Sequence, residues 1–257
     1  TLAPYRDRLA GQGTPAEEGL PGGAGAMVQV AGKPFLPFGF YWEGPTPPEL
    51  FGYLARNGFN AVCIGAPRSG DPAALLATLD GAGKAGLKVV VEVQAQGDGR
   101  KRAAELIGAC RQHPALLGWC LFDEVFTTAW GKDNYQTVCD TCREMKQLDP
   151  EHIICLVENE YGLGYLKGKG LQFPGDVVWI DYYAYPPTGN LAATTDHVQT
   201  MAAMAANTRQ PCWLCPLGGG YAFWASREYT PAEQEYSTYT ALIHGTTGFL
   251  YFASHPR

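Results

Sequence analysis

Short apolar runs alternate along the chain with longer stretches in which apolar positions recur at helical spacing. The runs fall at 37–42, 61–66, 88–95, 116–122, 152–157, 177–185, 212–217 and 248–252 and read as strands. Between them, 49–57, 72–85, 100–112, 134–147, 164–170, 196–208 and 231–244 read as helices. The helical spacing is clearest in Leu50, Tyr53 and Leu54 and in Leu75, Leu76 and Leu79. Punctuation agrees with this division. Asn57-Gly58, Ala85-Gly86 and His244-Gly245 stop a helix just before a strand. Asp71-Pro72 and Thr230-Pro231 pair an N-cap residue with proline at the first helical position.

Strict alternation of strand and helix predicts a parallel sheet. Eight repeats predict closure into a (β/α)8 TIM barrel, an α/β fold that typically takes about 250 residues. The competing arrangement is an open doubly wound sheet, which needs a glycine-rich phosphate loop after its first strand. The stretch that follows Tyr41, from Trp42 through Glu43, Gly44 and Pro45 to Pro48, carries no such loop. The chain reaches Arg257 directly after the eighth strand, so the reading lacks an eighth helix. Residues 1–26 are rich in Gly, Pro and Ala and read as an irregular leader, and 27–257 as the barrel domain. A short hairpin around Gly32-Lys33 opens that domain.

Composition narrows the partners. The chain has 257 residues, 46% of them hydrophobic, and a formal charge of -6. Such a balance gives no footprint for nucleic acid or an anionic membrane. No apolar run approaches the roughly 18 residues that a membrane span needs. Cys63, Cys120, Cys155, Cys212 and Cys215 lie inside apolar runs, as buried thiols do. The CxxC pairs Cys139/Cys142 and Cys212/Cys215 have spacing and context that argue against a zinc site. One or two disulfides are compatible with the eight cysteines, without a pairing that sequence can assign. No metal and no cofactor is expected.

In a barrel the chemistry sits at the C-terminal ends of the strands. Those ends carry Tyr41, Trp42 and Glu43; Arg68; Glu92, Gln94 and Gln96; Asp123 and Glu124; Glu158, Asn159 and Glu160; Asp181, Tyr183 and Tyr185; Tyr221, Phe223 and Trp224; and His255. No lysine is placed there to form an imine. There is no HExxH metal motif and no GxSxG elbow. Carboxylates, amides and aromatic rings remain. They suit a sugar, whose apolar faces stack on rings while its hydroxyls need polar partners. Glycosidic cleavage needs an acid for the leaving oxygen and a second group at the oxocarbenium-like carbon.

The stretch from His113 to Glu124, with Gly118-Trp119 and Asp123-Glu124 at its end, resembles the fourth-strand signature of clan A glycoside hydrolases, the β-galactosidase and cellulase barrels. Looser matches keep the family's order: Gly32-Lys33-Pro34-Phe35 at the first-strand entry, Asn57-Gly58-Phe59-Asn60 before the second strand, Trp179-Ile180-Asp181-Tyr182 in the sixth, and Gly245-Thr246-Thr247-Gly248 before the eighth. The resemblance implies that Glu124 is the acid/base, that the ligand is a carbohydrate, and that the setting is extracellular or periplasmic. The chain departs from the family at the strand-seven nucleophile: the run from Trp213 to Gly220 holds no Asp or Glu, and Glu228 lies several residues further on.

Three readings follow. In one, another carboxylate takes the second role, with Glu158, Glu160 and Asp181 ahead of Glu43 and Glu92. In another, Asp123 and Glu124 act on a substrate that supplies its own nucleophile, oriented by Asp181 and Tyr183. In the last, catalysis has been lost, and the barrel binds glycan or serves as a subunit of an oligomer whose missing helix comes from another chain. Trp130 and Trp224 are placed as stacking rings, and Arg68 as a partner for a sugar hydroxyl or carboxylate; Tyr185 shares the phase of Tyr183. Trp119 and Trp179 lie mid-run and are expected in the core.

Overall fold

A computed structural model describes residues 26–47, 49–183, 191–219 and 229–254. Eight parallel strands close into a barrel: β3 (Phe38–Glu43), β4 (Ala61–Gly65), β5 (Lys88–Glu92), β6 (Leu116–Asp123), β7 (Ile153–Glu158), β8 (Val178–Tyr182), β9 (Cys212–Gly219) and β10 (Gly248–Ser254). β10 pairs in parallel with both β9 and β3, which excludes the open sheet. The hairpin that precedes the barrel is β1 (Val28–Val30) with β2 (Lys33–Phe35). Its two-residue turn places Ala31 at φ 51° and Gly32 at φ 72°, the mirror-image turn that matches strand twist.

Helices cover the strands in the predicted order: α1 (Leu50–Arg56), α2 (Pro72–Lys84), α3 (Gly99–Cys110), α4 (Ala129–Asp133), α5 (Tyr135–Leu148), α6 (Glu160–Gly168), α7 (Ala193–Thr208) and α8 (Pro231–Ile243). The caps form as the sequence suggests. Asp71 accepts from the Ala73 N–H, and Thr230 and Glu233 make a reciprocal capping box. Three details differ. α1 buries Phe51 beside Leu50 and Leu54 and leaves Tyr53 56% exposed. α6 starts at Glu160 rather than at 164, because the Asn159 side chain accepts from the N–H groups of Tyr161 and Gly162 and so caps it. A 3-10 turn (Val125–Thr127) and α4 occupy the stretch read as loop after β6. All eight cysteines are free thiols.

Two apolar layers hold the barrel. The outer one lies between strands and helices, where Ile64, Leu79, Leu106, Trp119, Met145 and Phe249 are fully buried. The inner one fills the lumen from all eight strands, with Tyr41, Cys63, Val90, Cys120, Cys155, Trp179, Trp213 and Leu250 among its members. Trp179 and Trp213 meet edge to face at 5.6 Å, and Tyr41 lies 5.7 Å from Trp179. This aromatic stack closes the barrel axis and makes the floor of whatever lies above it. Val28 of the hairpin joins the same layer from the opposite end.

Polar side chains tie the strand starts. Asn60 accepts from the Phe38 N–H at 2.8 Å and donates to the Leu36 carbonyl. Asp176 accepts from the Ile154 N–H, and Thr247 hydroxyl oxygen from the Cys212 N–H. Adjacent strands approach closely at Gly39, where a Cβ would lie 1.6 Å from the Ala61 carbonyl oxygen. Gly39→Ala is expected to force β3 from β4 and lower stability by about 2–3 kcal/mol, read as a shift in the urea midpoint at unchanged slope.

Candidate functional site

The C-terminal ends of the strands frame a cavity of about 620 Å³ lined by Tyr41, Glu43, Glu92, Gln94, Asp123, Glu124, Asn159, Asp181, Tyr183 and Phe252. Alternation along a strand would turn Asp123 and Glu124 to opposite sides. Two backbone features bring both into the cavity. The register of β6 against β7 slips by one residue between Cys120 and Asp123. Cys120 faces the lumen, Leu121 and Phe122 both pack on the helix side, and Asp123 returns inward. Glu124 then adopts a left-handed conformation, φ 46° and ψ 37°. For a residue with a side chain this costs on the order of 1 kcal/mol.

The surrounding turn holds that conformation. The Glu124 carbonyl accepts from the Thr127 hydroxyl at 2.6 Å and from its N–H at 3.1 Å. The Phe126 N–H donates to Glu158 Oε1 at 2.9 Å. α4 packs so closely that a Cβ on Gly131 would lie 2.1 Å from the Val125 carbonyl oxygen.

No lysine, arginine or histidine is among the described residues of the lining. Burial and mutual repulsion raise two of its carboxyl groups. Asp123 is pushed up to about 7 by withdrawal from bulk water and then by Glu92, Glu124 and Glu43. Asp181 is raised well above the carboxylate range by burial first, then by the charges of Glu124 and Asp123. Glu92 is held differently: Oε2 accepts the Tyr41 hydroxyl at 2.7 Å, and Oε1 accepts from the Gln94 amide. Among the described residues no cluster of His, Cys, Asp and Glu could hold a metal ion.

The cavity thus brings Glu43, Asp123, Glu124, Asp181 and Tyr183 together. Arg68 lines an adjoining lobe. Glu158 is outside the lining: it is fully buried on the helix side of β7, and a Cβ on Gly162 of α6 would lie 2.0 Å from its Oε2. Glu160 belongs to the first turn of α6. Trp130 sits on α4 with its ring 6.5 Å from Phe122, in the layer between helices and strands. Tyr185, Trp224, Glu228 and His255 lie outside the described residues. Tyr41, Gln94 and Asn159 are lining residues that the sequence reading placed at strand ends without giving them a role. Tyr41 and Gln94 carried a signal, since each sits at a strand end beside a carboxylate.

The fold is similar to the barrels of several glycoside hydrolases of known structure. Bacteroides uniformis β-glucuronidase 2, as a calcium-binding mutant, matches over 86% of this chain at 16% identity with a TM-score of 0.60; the chain spans 31% of that protein. A GH5_18 protein from Bifidobacterium longum subsp. infantis matches at 15% identity and TM-score 0.61, over 85% of this chain and 69% of its own. The endo-1,4-β-D-mannanase of Thermotoga petrophila matches at 11% identity and TM-score 0.59, over 85% and 87%. No protein-family model and no curated protein matches the chain.

Glu158 allows a test of the turn behind Glu124. Burial raises its carboxyl to about 8, offset in part by the backbone hydrogen bond from Phe126. A carboxyl with a raised folded pKa binds more protons folded than unfolded, so stability is full below 4.5 and falls as pH rises to about 8. Glu158 is expected to add close to one proton, about 1.4 kcal/mol per pH unit, to the slope in urea titrations across that window, beside the shares of Asp123 and Asp181. Glu158→Gln keeps the acceptor and is expected to lower the slope by that one share; an equally steep profile in that variant would refute the assignment.

Proposed function

We propose that the protein hydrolyses a glycosidic bond with Glu124 as the proton donor. The observation that carries this reading is the gathering of Asp123, Glu124 and Asp181 in one cavity at the strand ends, among further carboxyls and aromatic side chains. Acids held this close retain a proton among them near neutral pH, because ionising all of them would crowd negative charges together. Glu124 passes that proton to the leaving oxygen as the glycosidic bond breaks, and the water that adds to the oxocarbenium carbon returns a proton to the acids. The second role falls to a carboxyl group that is held in place. Glu92 suits it, since the Tyr41 hydroxyl and the Gln94 amide fix its two oxygens. Its charge would stabilise the developing oxocarbenium carbon. Tyr183 and Phe252, with ring centroids 5.7 Å apart, offer the sugar an apolar wall. The similarity to glycoside hydrolase barrels supports the substrate class through the fold alone.

One observation favours a second reading, a barrel that binds glycan without cleaving it. The end of β9, with Leu217, Gly218 and Gly219, presents no carboxylate. Assays on aryl β-glycosides and soluble polysaccharides separate the two. Glu124→Gln is expected to lower turnover about 100-fold or more while the melting temperature holds. Equal rates in the variant would remove Glu124 from the chemistry. Glycan binding by a wild-type protein that cleaves none of the substrates would select the second reading.

A further inference from the structure

The acid-lined cavity continues into a second lobe of about 940 Å³ between the ends of β3, β4 and β5. Glu43, Glu92 and Gln94 line both lobes, so the two form one cleft. The second lobe differs in charge. It adds Arg68, from the loop after β4, and Arg102, from the first turn of α3, together with Trp42, Thr46 and Thr78.

The state of those arginines is informative. The other cations in the first turn of α3 are occupied: Arg100 pairs with Glu144, and Lys101 lies 3.9 Å from Glu105. Neither Arg68 nor Arg102 has a carboxylate at ion-pair distance among the described residues, although Glu43 and Glu92 share the lobe. Arg102 is also guided toward the cleft. Its stem lies over Gly70, where a Cβ would come within 2.7 Å of Arg102 Cδ. Gly70 has φ +68°, so the loop carrying Arg68 both adopts its turn and admits the Arg102 stem at this glycine.

We propose that this lobe is a subsite for an acidic sugar unit, with Arg68 and Arg102 gripping a carboxylate or sulfate beside Trp42. A guanidinium presents paired N–H groups that match either anion, and a partly exposed indole supplies the face on which a pyranose stacks. The acids of the first lobe enforce the register. The described acids of the first lobe offer an anionic substituent no counter-ion, so the charged unit settles in the Arg68/Arg102 lobe and its neighbour crosses the acids. Acidic glycans are thereby selected over neutral ones of the same backbone. The inference rests on the carbohydrate reading above, but not on turnover.

The test is binding of the full-length protein to a glycan array that carries each backbone in neutral, C6-carboxylate and O-sulfated forms. Titration calorimetry then measures matched pairs at low and high salt. Acidic members are expected to bind about tenfold or more tighter than their neutral counterparts, and the advantage is expected to shrink as salt rises. In the double variant Arg68→Ala/Arg102→Ala the ratio of acidic to neutral affinity is expected to fall to near one. Both side chains are exposed, and a melting curve checks that the fold persists. The carboxylate and sulfate arms show which anion is preferred. A wild-type ratio near one, with neutral glycans bound, overturns the subsite and leaves the carbohydrate reading intact. So does a ratio that survives the double variant. Binding to no glycan in any form overturns both.

Discussion

Several carboxyl groups gathered around one cavity, with no cation among the described residues of its lining, must either retain protons or repel one another apart. The rest of the site depends on how the barrel meets that constraint. It keeps Asp181, Glu124 and Asp123 in one ring, so that the charges raise Asp123 and Asp181. Backbone geometry supplies the rigidity this arrangement needs. The slip in β6 turns Asp123 inward, and the left-handed residue at Glu124 adds a second acid to the same side. Neither feature is favourable by itself. The Thr127 hydroxyl, the close approach of Gly131 and the buried Glu158 acceptor offset the strain.

The barrel was legible in the sequence because its strands are apolar runs cut off by caps that leave a chemical trace. Asp71-Pro72 and Thr230-Pro231 announce helices that form where they should. Glycine-closed helix ends announce the strands that follow. Where the trace was weak, the reading slipped. Asn159 looks like the end of a strand acid motif, yet it caps α6, which moves Glu160 onto a helix. The segment after Glu124 has no helical period long enough to register, yet it folds into a 3-10 turn and a short helix.

Legibility of the site was limited by phase. A period of two assigns each strand residue to a face only while register holds, and in β6 it does not hold. Glu158 was placed with the acids because it ends a strand, whereas β7 turns it to the helix side with Ile154 and Leu156, against Gly162. Tyr41 and Gln94 matter through Glu92, on a neighbouring strand and at its own strand end, and only closure of the barrel brings Tyr41 to it. Such relations between strands have no footprint in any local pattern.

The similarity to glycoside hydrolase barrels resides in the scaffold, parallel strands closed into a barrel. The end of β9 adds no carboxylate among the described residues; its Gly218 turns to the outer layer, where a Cβ would lie 2.7 Å from Tyr251 and 2.9 Å from Phe40. The acids come instead from β3, β5, β6 and β8 and converge over the aromatic floor of the lumen, where withdrawal from water strengthens their repulsion. Arg68 and Arg102 stand in the adjoining lobe at the edge of the mouth, where solvent screens a cation.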